Sequence, residues 1–416
     1  MTKDKLKEIF KYAKAFIKWS FFAFLIGIFG GCVGSFFHLC IDYATELRHN
    51  LPWLIFLLPL GGIVISAMYF FAGRYGKLDT NRIIKAVQSK ESVPFILVPL
   101  IFVSTVITHL LGGSAGREGA ALQLGGGIGY RLGHFFKLGV HDTRIIIMTG
   151  MSAVFTALFG TPLTATVFAI EVSSVGIMHY GALFPCVISS LVAFGVQKMF
   201  GVSPVKFADI PMPDFTPALM ASVVLVSVLC GLVSIVFCKS IKISEKLGKK
   251  FLPNTFVRAF AGGCIIVILT LLSGSTMYNG AGMDVVEAAL NGHARPEAFA
   301  LKILFTAVTV AAGFKGGEIV PAFFTGSTFG CTVAGLLGMD ASLGGAIGFV
   351  ALFCGIVNCP IASIMLAMEV FGGESVCVFA VVCAVSYVMS GNFGLYKSQK
   401  IVYSKLDERY IDANAS

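Results

Sequence analysis

The sequence predicts an all-α integral membrane protein, built as a duplicated bundle of broken helices. Three observations lead to this fold class. The 416 residues are 56% hydrophobic and only 13% charged, a composition too apolar for a water-exposed surface. Glycine is abundant, with 47 residues, and interrupts many of the apolar runs. The second half of the chain also repeats the pattern of the first.

Several apolar runs are long enough to cross a hydrocarbon core of about 30 Å as helices. They cover residues 20–41, 53–73, 94–111, 179–200, 216–238 and 257–273. Other apolar runs are too short to span a membrane. Broken helices at membrane depth need protein or a polar cavity to satisfy their backbone groups, so the pattern favours a transporter or a channel.

An internal duplication divides the chain into two membrane repeats, residues 19–200 and 201–397. AVFTALFGTPLTATVFAIEV at 153–172 aligns without gaps on ALFCGIVNCPIASIMLAMEV at 351–370. Within this block, at an offset of 198, Pro162 matches Pro360 and Glu171 matches Glu369. Upstream, at an offset of 201, Ala120, Gly125 and Gly129 match Pro321, Gly326 and Gly330. The alignment leaves open whether the copies run parallel or inverted. Matching helix breaks in such halves point to a binding site at their interface.

The matching breaks carry carboxylates. GGSAGREGA at 112–120 contains Glu118 in the first repeat, and GGEIVP at 316–321 contains Glu318 in the second. Each glycine-rich turn precedes an apolar helical stretch, so each presents free N–H groups at a helix N-terminus. Such ends bind anions without needing a lysine, and two of them aimed at the membrane midplane would form an anion site.

Charge and composition argue against a nucleic-acid-binding protein, a metalloprotein and an enzyme. The net charge of +9 comes partly from lysines spread along residues 1–18 among aromatic residues, a pattern typical of a basic interfacial helix and a cytoplasmic N-terminus rather than of nucleic-acid binding. The 11 Cys form no CxxC pair, and the His residues have no metal-ligand spacing, so neither a metal nor a cofactor is expected. Enzyme motifs are lacking in the apolar segments, and no enzymatic activity is expected.

Three ordered motifs resemble the CLC family of chloride channels and anion/proton antiporters. Gly116-Arg117-Glu118-Gly119 matches its second signature, with Ala120 in place of the usual proline, residues 317–321 match its third, and Tyr396 in GNFGLYKSQ matches its central tyrosine. The resemblance implies an inverted repeat of short tilted helices and a homodimer with one pore per subunit. It also implies an anion site formed by Gly119, Gly317, Glu318, Ile319, Val320 and Tyr396. The segment 398–416 would be a short cytoplasmic tail.

Departures from the family pattern favour its fluoride/proton antiporter branch. Leu78 stands near the place of the chloride-binding serine, and Val172 replaces the glutamate that passes protons inward in chloride antiporters. Glu318 is an added carboxyl in the third signature, whereas Val320 lacks the hydroxyl expected there. The implied function is fluoride export in exchange for protons across the inner (plasma) membrane. A chloride/proton antiporter and a passive anion channel stay open as alternatives.

The physical chemistry of the two carboxyls supports this interpretation. A partly desolvated carboxyl beside an anion is expected to hold its proton and so to donate a hydrogen bond. Fluoride, the smallest and most basic halide, gains most from a short, strong donor at Glu318. Glu118, when ionised, can occupy the anion site itself and act as the proton and anion gate. Glu171 and Glu369, at equivalent helix ends, are expected either to cap helices near the surface or to snorkel toward it.

Overall fold

The computed structural model describes residues 3–73, 78–207, 210, 216–407 and 409–415. Lys77, the first residue of the KLDTNRIIKAV segment, lies outside this part of the chain. The helices are α1 (Lys3–Asn50), α2 (Leu58–Phe71), α3 (Thr80–Gln88), α4 (Leu97–Leu110), α5 (Glu118–Phe135), α6 (Val140–Phe159), α7 (Pro162–Glu171), α8 (Leu183–Met199), α9 (Pro217–Phe251), α10 (Thr255–Ser273), α11 (Met283–Leu290), α12 (Ala298–Ala312), α13 (Ile319–Leu336), α14 (Ala341–Val357), α15 (Pro360–Phe371) and α16 (Val376–Met389). The strands are β1 (Ser174–Val175), β2 (Lys400–Tyr403) and β3 (Tyr410–Asn414).

The helices confirm a multi-pass membrane protein. In the part of the chain that the structure describes, 7 helical segments are long and apolar enough to cross a membrane, and further apolar helices of 10–17 residues lie between and after them. The helix α1 runs without a break from Lys3 to Asn50, so the basic N-terminal segment continues directly into the first membrane span. Its Lys18 pairs with Asp142 at the start of α6.

The two repeats share one packing arrangement, which confirms the duplication. Helices α5 and α6 touch through Gly125, where an added Cβ would lie 2.2 Å from the Gly150 carbonyl oxygen. Helices α13 and α14 touch through the matched Gly326, where an added Cβ would lie 2.2 Å from the Gly348 carbonyl oxygen. Because neither contact leaves room for a methyl group, glycine is required at both crossings.

The capping role predicted for Glu171 and Glu369 is confirmed, and each carboxylate caps a helix of the other repeat. Glu171 accepts hydrogen bonds from the N–H groups of Ile361 at 3.2 Å and Ala362 at 2.9 Å, in the first turn of α15. Glu369 accepts from the N–H groups of Leu163 and Thr164, both at 2.8 Å, in the first turn of α7. This exchange of caps has the two-fold symmetry of an inverted repeat.

The C-terminal segment forms a small sheet that the sequence did not predict. β2 pairs parallel with β1 and antiparallel with β3. Gln399 donates to the carbonyls of Val172 at 3.0 Å and Val357 at 2.7 Å, so this segment joins both repeats. Lys405 donates to Tyr387 O and Ser390 Oγ, and burial lowers the pKa of its amine to about 8. Residues just after Tyr396 are thereby fixed to the membrane body.

Candidate anion and proton site

The two glycine-rich breaks meet each other at the centre of the site. Gly116 N donates to Gly317 O at 2.6 Å, and Gly317 N donates to Gly116 O at 2.7 Å. This is an isolated antiparallel bridge, and it places the N-termini of α5 and α13 side by side. The two matching breaks therefore meet each other, as expected for breaks at the interface of two repeats.

Glu118, the first residue of α5, is fully buried at this junction. Its Oε2 accepts a hydrogen bond from Val320 N at 3.3 Å, in the first turn of α13. Its Oε1 has no partner among the described residues. The carboxylate thus occupies the position that an anion would take at the α13 N-terminus, where the helix dipole favours negative charge.

Glycine is required around this carboxylate for steric reasons. An added Cβ at Gly116 would lie 2.4 Å from Glu118 Oε2, and one at Gly317 would lie 2.5 Å from the same oxygen. Gly119 is also confined, because its added Cβ would lie 3.1 Å from Gly316 O. The glycines let two backbones and a carboxylate share a space that larger residues would fill.

Glu318 precedes α13 and lines a cavity of 420 Å³ that reaches the site. The charged residues that act on it electrostatically include Glu245, Glu118 and Lys315. The next two residues, Ile319 and Val320, are buried, and their backbone forms the first turn of α13. Val320 therefore contributes its N–H to the site, which does not require the side-chain hydroxyl that the sequence lacks.

Tyr396 lines the same cavity and is 3% exposed. Its hydroxyl has no hydrogen-bond partner among the described residues. Glu318 and Glu118 both act on it electrostatically. A buried phenol without a partner is uncommon, because the lost hydrogen bond costs free energy. An anion in the cavity would satisfy it.

Thr80 and Gln123 are neighbours of the site that the sequence did not single out. Thr80 Oγ1 donates to Gly119 O at 3.3 Å and accepts from Gln123 Nε2 at 3.0 Å. Leu78 lines the cavity as an apolar side chain, beside Thr80. The segment that starts α3 therefore supplies a hydroxyl, but its single O–H donor is already bonded to Gly119 O. The helix-capping sequence Asp79-Thr80, at the α3 N-terminus, was the signal available in the sequence.

The cavity walls carry both signs of charge. Lys315 lies over the ring of Tyr69 at 4.3 Å, and Lys397 pairs with Glu245 at 2.5 Å. Lys242 donates to Gly394 O at 2.6 Å, two residues before Tyr396. Basic side chains at the cavity wall attract anions toward the buried carboxyls.

Among the described residues, no group of three or more His, Cys, Asp or Glu side chains could hold a metal.

The site therefore combines an ionisable carboxyl seated on a helix N-terminus, a second carboxyl at the cavity wall, and an unpaired phenol. Most of the residues predicted for the site lie at Glu118 or line the nearby cavity: Gly317 lies against the carboxylate, Val320 donates to it, Gly119 follows it in the chain, and Glu318 and Tyr396 line the cavity. Ile319 is buried at the start of α13, between Glu318 and Val320 in the sequence. This set can bind a small anion and hold or release a proton. It offers no nucleophile or base arranged for covalent chemistry.

Comparisons with known proteins agree with this arrangement. Over 97% of its length the chain is 35% identical to the "Chloride/fluoride channel protein" of Pseudomonas syringae pv. tomato, of which it covers 91%. It is 25% identical to the "H(+)/Cl(-) exchange transporter ClcA" of Vibrio cholerae, over 89% of this chain and 85% of that one. The structure superposes on a crystal structure of a CLC-type fluoride/proton antiporter with a TM-score of 0.88 and 30% identity, covering 96% of this chain and 100% of that chain.

Residues 74–391 match the family described as Voltage gated chloride channel. This match covers more than half of the chain and contains the repeat-interface breaks with Glu118 and Glu318. Together with the duplicated fold and the carboxylate seated at the meeting helix ends, it shows that the chain belongs to the voltage gated chloride channel (CLC) family.

Proposed function

We propose that this protein exports fluoride in exchange for protons. The observation that carries the proposal is the position of Glu118. A 3.3 Å hydrogen bond seats it on the α13 N-terminus, and it acts electrostatically on Glu318 and Tyr396, which line the nearby cavity. The likeness to the CLC-type fluoride/proton antiporter structure, at 30% identity over nearly the whole chain, supports it.

Exchange follows from competition for one position. Ionised Glu118 and a bound anion both need the N–H groups at the start of α13, so they exclude each other. Protonation removes the attraction that holds the carboxylate there, and the side chain leaves. An anion then enters from the cavity. When the anion departs, Glu118 returns and releases its proton, so each direction of movement depends on the other.

Fluoride selectivity is assigned to Glu318 and Tyr396. Both are O–H donors when protonated, and a strong, short hydrogen bond favours the most basic halide. The Thr80 hydroxyl, which also lines the cavity, already donates its proton to Gly119 O and accepts from Gln123. Glu318 thereby couples a proton and fluoride at one position, which makes an inner proton glutamate at Val172 dispensable.

The same proposal includes the membrane location, the topology and the oligomeric state of the protein. It lies in the inner (plasma) membrane with a cytoplasmic N-terminus, as the lysines of residues 1–18 favour. The sheet-forming segment 398–416 is its cytoplasmic tail. It works as a homodimer with one pore per subunit, and its partners are fluoride, protons and the lipid bilayer.

A passive anion channel is the second candidate, favoured by the name of the Pseudomonas syringae relative. A chloride/proton antiporter is the third, and the Vibrio cholerae relative supports it. The channel would share the whole fold, because a single gate separates the two behaviours. The chloride antiporter is disfavoured by Val172 and by Leu78 on the cavity wall.

Transport by purified protein in liposomes distinguishes the three functions. Fluoride and chloride electrodes and a pH electrode follow efflux at the same time, with protein-free liposomes as the control for leakage of hydrogen fluoride. We expect fluoride to leave faster than chloride and an imposed proton gradient to drive it uphill, against the direction of proton flow. Equal or faster chloride movement would reject the fluoride assignment. Downhill movement without protons would establish the channel.

The Glu318→Ala variant tests the selectivity step in the same assay. We expect it to lose fluoride preference while it stays folded, because removing a partly desolvated carboxyl also removes its cost of burial. An intact variant with unchanged preference would place selectivity elsewhere. A variant recovered only as aggregate would indicate that Glu318 is structural.

A further inference from the structure

A chain of side-chain contacts connects α1 to the residue before the gate. His38 Nδ1 lies 3.1 Å from Leu158 O, near the end of α6. His38 Nε2 lies 2.8 Å from Asp42 Oδ2, and the other Asp42 oxygen pairs with Arg117 Nη1 at 3.2 Å. Arg117 immediately precedes Glu118. Neither His38 nor Asp42 belongs to the motifs that define the anion site.

The partners of His38 determine which form of the ring fits. A carbonyl oxygen only accepts hydrogen bonds, and an ionised carboxylate also only accepts. Both ring nitrogens therefore have to donate, and only the imidazolium carries two N–H groups. A neutral ring would place a lone pair opposite either Leu158 O or the Asp42 carboxylate. The observed geometry is complete only when His38 is protonated.

The contacts of Arg117 explain how this protonation reaches the gate. Its carbonyl accepts from Ala121 N at 3.0 Å, so it begins the first turn of α5. Its guanidinium lies 5.7 Å from the Phe159 ring centroid, beside the end of α6. Asp42 pairs with the guanidinium and Phe159 lies beside it, and among the described residues Arg117 forms no ion pair with the Glu118 carboxylate, although it acts on that carboxylate electrostatically.

Other charged groups near this chain have partners of their own. On α4, His109 Nε2 contacts Gly116 O at 3.2 Å. Arg48, farther along α1, donates to His109 O at 3.0 Å, and Lys198 at the end of α8 lies over the ring of Phe194. Among the described residues, Asp42 is thus the one charged group that contacts His38 directly. Asp42 in turn pairs with Arg117.

We propose that His38, Asp42 and Arg117 form a proton-sensitive clamp that positions the gate from the side of the membrane opposite the N-terminus. Asp42 is 39 residues along α1 from its start, which places it far across the membrane at about 1.5 Å of rise per residue. Its side chain is 56% exposed, so the clamp reaches the surface of the chain there, and in this proposal protons enter from that side. His38 and Asp42 are positioning residues, because they act on Glu118 through Arg117.

Loss of the proton on His38 releases the clamp. One of the two His38 contacts then becomes repulsive, Asp42 is no longer fixed, and Arg117 is free to pair with the Glu118 carboxylate when it swings out. That pairing stabilises the ionised Glu118 carboxylate outside the site. It therefore slows the uptake of a proton by Glu118 and the return of the side chain to the site. Low pH on this side of the membrane therefore speeds exchange in two ways: it keeps His38 protonated, and it protonates Glu118 directly. This inference rests on the proposed exchange function.

The test compares pH profiles of exchange. Fluoride efflux from proteoliposomes of wild-type protein and His38→Gln is measured from pH 5 to 8.5, the range in which histidine ordinarily changes charge, with protein-free leak subtracted. We expect the variant to exchange about three- to tenfold more slowly than wild type at acid pH and equally fast at alkaline pH. The exposed His141, at the start of α6, supplies the control: His141→Gln should match wild type throughout.

Two results would overturn the clamp. A variant that follows the wild-type profile would show that His38 protonation has no effect, and a loss that is uniform across pH would show a purely structural role. If His38→Gln cannot be purified folded, Asp42→Asn carries the same test, since it removes the carboxylate that links His38 to Arg117. Failure of the exchange function itself is separate, because it appears as an absence of proton-coupled flux in the wild type.

Discussion

The Glu118 carboxylate is bound by a backbone N–H of the opposite repeat, Val320 N, and its second oxygen has no partner among the described residues. Burial of an unpaired carboxylate oxygen is costly. A side chain placed in this way can move readily, because protonation removes its charge and leaves only a weak interaction with the α13 N-terminus. In the proposed mechanism, this arrangement makes anion binding and occupation of the site by Glu118 alternatives.

Glu118→Gln is expected to abolish proton-coupled exchange without disturbing the fold. Glutamine has nearly the same volume and can still accept from Val320 N, but it neither ionises nor carries a proton. Coupling is measured as uphill fluoride movement driven by a proton gradient. Residual downhill fluoride leak is compatible with the gate, whether the neutral side chain rests in or out. Uphill pumping by this variant would show that Glu118 is not the gate.

Tyr396→Phe is expected to weaken fluoride binding by about tenfold, equivalent to about 1.4 kcal/mol, since a hydrogen bond to a charged group contributes in this range. Because the hydroxyl has no partner among the described residues, its removal should not lower thermal stability. Fluoride affinity is measured by calorimetric titration and by the concentration dependence of flux. The exposed Tyr403 in β2 provides Tyr403→Phe as the matched control.

Unchanged fluoride affinity in Tyr396→Phe, with transport intact, would show that the phenol is not a ligand. A large fall in melting temperature would instead indicate a structural bond that forms in another state of the protein.

Sequence reasoning found the residues of the site that carry a motif or a repeat. Glu118 and Glu318 stand out because a carboxylate in an apolar, glycine-rich break is unusual. His38 and Asp42 were not found, because an i, i+4 pair within a long apolar helix has no distinguishing spacing. Thr80 was also missed, since only the folded chain brings the start of α3 against Gly119.

At the scale of elements, the exchanged caps fix α7 and α15 to each other across the two repeats. Both helices begin with proline, at Pro162 and Pro360, so each lacks one N–H at its start, and the carboxylates satisfy the N–H groups that follow. The capping itself was predictable from the sequence. That the caps are exchanged was not, because it depends on the relative placement of the repeats.

Glu171→Ala and Glu369→Ala are each expected to destabilise the protein by about 1 to 2 kcal/mol, the usual cost of losing a helix cap. Glu369→Ala should cost more, since Glu369 also accepts from Thr164 Oγ1 at 2.6 Å. The measurement is the apparent Tm in detergent, which should fall by a few degrees. Glu374→Ala, at an exposed glutamate after α15, should leave the Tm unchanged.

Exchange rates of the two cap variants should stay near wild type at temperatures below their transitions. Selective loss of proton coupling in Glu171→Ala, with an unchanged Tm, would contradict a capping role and would assign Glu171 to proton movement.

Other elements were predicted in part. The long apolar runs coincide with helices, since hydropathy fixes membrane spans strongly. The C-terminal sheet was missed because its strands are short and exist through pairing with β1, far away in the chain. This sheet matters for the site: it follows Tyr396 directly, and Gln399 binds it to both repeats.

At the scale of the whole molecule, the two repeats are joined by symmetric contacts placed around the site. The Gly116–Gly317 bridge lies at the junction of α5 and α13, and the exchanged caps join α7 to α15. Each is a reciprocal pair of the kind that two-fold symmetry produces. The candidate anion site is therefore built from both repeats, and neither half contains all of its residues.

Gly317→Ala tests this dependence. An added Cβ at position 317 would lie 2.5 Å from Glu118 Oε2, 2.6 Å from Gly119 N and 2.8 Å from Glu118 N. Because two of these atoms are backbone, a rotamer change cannot relieve the clash, and the repeats have to separate locally. We expect exchange to fall more than tenfold and stability to fall by about 1 to 3 kcal/mol, as for other overpacked sites.

The matched control is Gly195→Ala in α8, where nothing lies within 4 Å of an added Cβ. This variant should transport normally. If Gly317→Ala exchanged fluoride at the wild-type rate, the loops would have to be apart in the transporting state, and the seat of Glu118 between the repeats could not be the gate position.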